Sequence, residues 1–145
     1  KLVVVGLNTT GIDLAAMARA AGVEEDVKHY PYVADEDLAP LYSGAEAFVL
    51  PYSYESAAAL TLLEAQAAGT PVITADTVGL RQAAGSAALL TPDVETPTIT
   101  AAMLRIVMEP GLRADLIERG LANAARYSWL STSSQVLDIL RESAS

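Results

Sequence analysis

Short runs of strand length, most of them apolar, alternate with helical stretches and constrain this chain more than any other feature. Leu2–Val5, Val27–Tyr30, Ala47–Leu50, Val72–Ala75 and Ala87–Leu90 all have strand length, and each stops close to Gly, Pro or Asp. Leu2-Val3-Val4-Val5 is apolar throughout and closed by Gly6, as expected of a parallel strand covered on both faces. Between the strands, residues 12–21 read as a helix ended by Gly22, and Asp35 caps a helix through Ser43. A further helix spans about residues 58–68, with Gly69 at its end. Beyond residue 90 the pattern is helical. Thr96 caps a helix entered through Pro97 that runs to Met108, Pro110 opens another through Ala125, and Ser128 caps a last one from Trp129 to Leu140. Trp129 is expected in the packing of that last helix. The pattern predicts an α/β, Rossmann-like three-layer domain with a parallel sheet of about five strands and a helical C-terminal tail.

Composition narrows the function. The chain has 145 residues, 52% of them hydrophobic, enough for one domain with a sizeable core. It contains no cysteine, which removes disulfide and thiol chemistry and fits a cytoplasmic protein. No apolar run approaches the roughly 18 residues that span a bilayer. The net charge is −9, and from His29 to Leu80 there are seven acids and no Lys or Arg. A nucleic-acid surface requires the reverse balance. A phosphorylated ligand here would be held by backbone N–H groups, or by bases supplied from elsewhere.

In a doubly wound sheet, ligands bind beyond the carboxyl ends of the strands. Gly6-Leu7-Asn8, Pro51–Glu55 and Ala75–Gly79 fall on that edge. Glu64 lies on an otherwise apolar helix, so it either faces the crevice or is an ordinary exposed helix former. At a crevice wall its carboxylate suits a vicinal diol such as ribose, because it accepts from both hydroxyls. Glu55 follows a strand end, where it can accept from sugar hydroxyls or from backbone N–H groups, or simply face solvent. Ser56 fits an N-cap. Gly6 and Gly11 make neither a GxGxxG fingerprint nor a P-loop, and Gly6 lets the chain turn at the strand end. Thr77-Val78-Gly79-Leu80 follows another strand end, where its backbone can approach a ligand, with Gly79 its key position.

His29 is the only histidine and fits a structural place on an interior strand. No Ser-His-Asp set and no protein-held zinc or iron site can be assembled, and no residue is assigned as a metal ligand. Magnesium has no dedicated signal and would arrive with a diphosphate.

Several segments together resemble the nucleotide-sugar-binding, C-terminal half of retaining GT-B glycosyltransferases, the group that includes sucrose synthase and glycogen synthase. The segments are Val3–Gly6, Tyr32-Val33 through Asp37-Leu38, Leu41–Ala45, Ala47–Pro51, Leu63-Glu64-Ala65, Gly69-Thr70-Pro71-Val72-Ile73, Pro110–Arg113, Gly120-Leu121 and Arg126–Trp129. The resemblance implies that Glu64 binds the ribose and that Glu55 contacts the donor sugar as the catalytic-site acid. It implies that the backbone at Ser56 and Ala57 approaches the sugar and diphosphate. It places Thr77, Gly79 and Leu80 in a loop near the nucleotide and its phosphates, and the base above the Gly6 turn. The ligand is then a nucleoside diphosphate sugar, with no tightly bound cofactor.

The departures are specific. Eight residues separate Glu55 from Glu64, one more than the family's spacing, and Ser56-Ala57-Ala58-Ala59 stands where the family has glycines. Each alanine adds a Cβ and resists positive φ by about 1 kcal/mol. The family's domain also begins one strand and one helix earlier, with a basic "GR…K" segment, and is preceded by an acceptor-binding domain. Residues 1–145 are therefore expected to be one half of a GT-B fold. The parent activity implied is retaining transfer of a hexose from a nucleoside diphosphate sugar to a sugar or lipid-linked acceptor, with the chain inactive alone. An open sheet edge would allow homo-oligomers. The rival expectations are a non-catalytic nucleotide-sugar-binding module and a scaffold with a vestigial crevice.

Overall fold

A computed structural model describes residues 1–9, 11–52 and 60–143. The chain divides into two compact units, Lys1–Leu38 and Ala39–Ser145.

In the first unit, β1 (Leu2–Val5) pairs in parallel with β2 (Val27–Tyr30), in the register Leu2↔Val27 to Val5↔Tyr30. Between them lie α1 (Leu14–Ala20) and a 3-10 turn at Glu24–Asp26. Asp13 caps α1 by accepting from the Ala16 amide at 2.8 Å. Gly22, at φ +70°, turns the chain out of the helix. The expectation that β1 is covered on both faces fails: Leu2, Val3 and Val5 are exposed. An apolar run indicates what a strand could bury, whereas covering it requires a second layer, and burial at α1 is confined to Ala18.

The second unit contains a three-stranded parallel sheet ordered β3 (Phe48–Leu50), β4 (Val72–Ala75), β5 (Ala88–Thr91). Among the described residues the strand pairings are all parallel, as expected, within a two-stranded sheet in the first unit and a three-stranded sheet in the second. The helix α2 (Asp35–Ser43) precedes β3; α3 (Leu60–Ala67) precedes β4; α4 (Val78–Ala84) precedes β5. Three helices follow: α5 (Thr96–Met108), α6 (Pro110–Ala124) and α7 (Trp129–Ser143).

Every residue of β4 is buried, and its side chains are divided between two cores. Val72 and Ala75 join Leu50, Leu62, Ala65, Leu80 and Ala84. Ile73 joins Ala102, Ile106 and Leu116. Helices thus cover both faces of the central strand, which is the three-layer arrangement that a continuous apolar run anticipates. Burying a side chain such as Leu62 or Ile73 contributes about 1.5–3 kcal/mol. Between the strands, the Thr74 hydroxyl donates to the Leu50 carbonyl at 2.9 Å and the Thr91 hydroxyl to the Thr74 carbonyl at 3.3 Å.

Four local expectations are corrected. The α2 helix starts at Asp35, so this acid sits in the first turn instead of capping it. Glu95, not Thr96, occupies the N-cap of α5, and it makes no side-chain cap bond. Residues 78–84 form a helix, so Thr77–Leu80 is a helix start and not a loop. Trp129 is 76% exposed, and α7 buries no residue. The cap expected from Ser128 is present, its hydroxyl accepting from the Ser131 amide at 3.1 Å.

Candidate functional site

Glu64 projects from α3, whose inward face is Leu62, Ala65 and Gln66. These inward positions are about a half or a quarter turn away from Glu64 around the helix, so Glu64 is left exposed. The Tyr42 hydroxyl donates to Glu64 Oε2 at 3.2 Å. Tyr42 is half-buried, with its ring edge-on to Phe48 at 5.4 Å and 83°. Its phenol is pushed up to about 12, first by burial and then by the Glu64 carboxylate that accepts its proton. The phenol therefore remains a donor at neutral pH.

The Gly-Thr-Pro turn after α3 holds the framework together. Gly69, at φ +74°, ends the helix; its amide donates to Gln66 O and the Thr70 amide to Ala65 O, which is a Schellman closure. The Thr70 hydroxyl donates to the Tyr42 carbonyl at 2.6 Å. The Pro71 carbonyl accepts from the Phe48 amide at 2.8 Å, starting the β3–β4 ladder. Each residue of the motif thus has a structural task, and Thr70 and Pro71 are both buried.

At the carboxyl end of β4, Thr77 caps α4 by accepting from the Leu80 amide at 3.4 Å. Leu80 is fully buried, so its side chain belongs to the core and its amide to the cap. Gly79 lies in the first turn of α4 and is partly exposed. Asp76 is paired with Arg81, whose Nη2 and Nε reach Asp76 Oδ1 at 2.6 and 2.7 Å. This local ion pair was not anticipated, although a spacing of five residues around a capping Thr was there to be read.

Gly6 belongs to the first unit. At φ +131° it turns the chain out of β1, and its amide donates to the Tyr30 carbonyl at 3.0 Å. The Gly6 carbonyl accepts from His29 Nε2 at 2.9 Å, giving the lone histidine the structural place expected of it. A shallow hollow lined by Leu14, Ala18, Glu24 and Lys28 lies toward the other end of the β1–β2 pair. Glu55, Ser56 and Ala57 lie outside the described residues.

The arrangement is an exposed carboxylate, oriented by a phenol, on a helix of a parallel α/β unit. The sequence profile of the glycosyl transferases group 1 matches residues 1–122. The chain belongs to this family. It is similar to the D-inositol 3-phosphate glycosyltransferase of Saccharomonospora viridis, being 34% identical over 131 residues, which cover 89% of this chain and 30% of that protein. Among solved structures, sucrose-phosphate synthase from Thermosynechococcus elongatus superposes with a TM-score of 0.85 at 26% identity, over 99% of this chain and 39% of that one. Anabaena HepE in complex with UDP-glucose gives 0.85 at 17% identity, over 97% of this chain and 40% of that one, a likeness of fold alone. The chain spans about a third of the length of its curated relatives. Among the described residues no helix is long and apolar enough to cross a membrane.

Proposed function

We propose that residues 1–145 are the donor-binding domain of a retaining GT-B glycosyltransferase that moves a hexose from a nucleoside diphosphate sugar to a sugar or lipid-linked acceptor. The observation that carries this is Glu64, an exposed carboxylate held by Tyr42 at 3.2 Å within the segment of the family match. Such a group accepts both hydroxyls of a ribose. HepE, of the same fold, is known in complex with UDP-glucose. In this reading Glu55 contacts the donor sugar, and the backbone at Ser56 and Ala57 approaches the diphosphate. Thr77, Gly79 and Leu80 shape the nucleotide side, the last through main chain only.

Transfer also requires an acceptor surface facing the donor, which aligns the reacting groups and excludes water. We assign that surface to a separate acceptor domain, so the 145-residue chain binds donor weakly and transfers negligible sugar. No Lys or Arg occurs from His29 to Leu80, so neutralising the leaving diphosphate falls to residues outside this stretch or to a magnesium ion carried in with it. The lack of cysteine agrees with a cytoplasmic setting.

Calorimetry with UDP, GDP and ADP, free and as sugar conjugates, tests the reading. Binding of one nucleotide that is abolished by Glu64→Ala, with the melting temperature preserved, supports it. Binding unaffected by Glu64→Ala removes the ribose assignment, and sugar transfer by the isolated chain removes the claim of inactivity. No heat with any nucleotide would favour a scaffold whose crevice is vestigial.

A further inference from the structure

Tyr42 and Glu64 are tied to each other at two points. The first is the phenol–carboxylate bond at 3.2 Å. The second runs through the backbone: Thr70, whose amide is bonded to Ala65 at the end of the Glu64 helix, donates its hydroxyl to the Tyr42 carbonyl at 2.6 Å. The ring itself is braced by Phe48 and packs on the core around Leu50 and Leu62. A phenol fixed in this way restrains a carboxylate that would otherwise sample several rotamers on an exposed helix face. That rotamer freedom is conformational entropy that a ligand would otherwise have to remove on binding. The phenol takes one of roughly four lone-pair positions on the carboxylate, which leaves acceptors for a vicinal diol.

We propose that Tyr42 is a positioning residue that preorganises Glu64 to receive the ribose hydroxyls of a nucleoside diphosphate. This rests on Glu64 being the ribose acceptor. Tyr42 touches no ligand in this account. It acts through the carboxylate, and its loss is felt only by ligands that have a ribose diol.

The test compares UDP, GDP and ADP with their 2′,3′-dideoxy counterparts by calorimetry on the wild-type chain and on Tyr42→Phe, which keeps the ring and its packing. The expected result is a preference of the wild type for the ribose form of one nucleotide. Tyr42→Phe should then raise the Kd of that form about fivefold, leave the dideoxy Kd unchanged, and melt close to wild type. In a Glu64→Gln background, Tyr42→Phe should add nothing to the loss. Equal weakening of both ligand forms, no change in either, or additive losses in the double variant would each overturn the positioning role alone. A wild type that binds a nucleotide without regard to its ribose hydroxyls, or binds none of the three, would overturn the ribose reading and this role together.

Discussion

Asn123 on α6 and Gln66 on α3 are joined amide to amide in the protein interior: Asn123 Nδ2 donates to Gln66 Oε1 at 2.8 Å. Asn123 also donates to the Ala83 carbonyl at 2.9 Å, and Gln66 Nε2 donates to Ala84 and Ala87 at 3.3 and 3.0 Å. The pair fastens the helix bearing Glu64 to α6 and to the turn between α4 and β5. Polar groups this deeply buried are stabilising only when every partner is present.

Asn123→Ala strands the Gln66 carbonyl and removes a donor from Ala83. Urea denaturation should show a loss of about 2–3 kcal/mol with an unchanged m-value. A loss below about 0.5 kcal/mol would show that the network is dispensable.

The glycines divide by what surrounds them. At Gly85, φ is +59° and an added Cβ would meet Asn123 Oδ1 at 2.9 Å, so Gly85→Ala combines backbone strain of about 1–2 kcal/mol with displacement of the amide pair. Nothing lies within 4 Å of an added Cβ at Gly111, in the first turn of α6, so Gly111→Ala should stabilise by up to about 1 kcal/mol. Thermal melts of the two variants should move in opposite directions.

Thr77→Ala removes the α4 cap and should cost about 1 kcal/mol in chemical denaturation. Thr77→Ser keeps the hydroxyl and should recover most of it. If neither change alters stability, the 3.4 Å bond to the Leu80 amide contributes nothing.

The Tyr42 phenol, at about 12, stands above its ordinary value of 10. A group raised in the folded state contributes stability that is fully present below the unfolded value and is lost as pH rises through the folded one. Alkaline unfolding should therefore draw on Tyr42 between about pH 10 and 12, and not in the neutral range. An ultraviolet titration should show a late-ionising tyrosine that is absent in Tyr42→Phe.

Trp129 is the only tryptophan, so its fluorescence reports one site. At 76% exposure it should emit at long wavelength and be readily quenched by acrylamide. A blue-shifted, protected signal would place it in a packed environment.

The legible parts of the fold are those encoded over short distances. Val72-Ile73-Thr74-Ala75 is β-branched at its first three positions and is a strand with the ends expected of it. Gly69-Thr70-Pro71 reads as a helix stop followed by a strand start, because the left-handed turn and the missing proline donor are properties of those residues themselves. The helices from residue 96 onward are likewise announced by their Pro and Ser entries. Gly6 and Thr77 could be assigned in advance to the carboxyl edge of the strands, since each closely follows the end of a parallel strand.

What sequence could not supply is the identity of partners far apart in the chain. Tyr42 meets Glu64 across 22 positions and Asn123 meets Gln66 across 57, and nothing in local periodicity names either pair. The same limit explains the errors at β1 and Trp129. Hydrophobicity fixes the tendency of a side chain to leave water, but whether it does so depends on a neighbouring layer that only the tertiary structure provides. By itself the sequence determined the alternation of strands and helices, their turns and the position of Glu64 on its helix. Tertiary packing decided which phenol holds that carboxylate, because hydrogen bonds and burial are settled by distance in space and not by spacing along the chain.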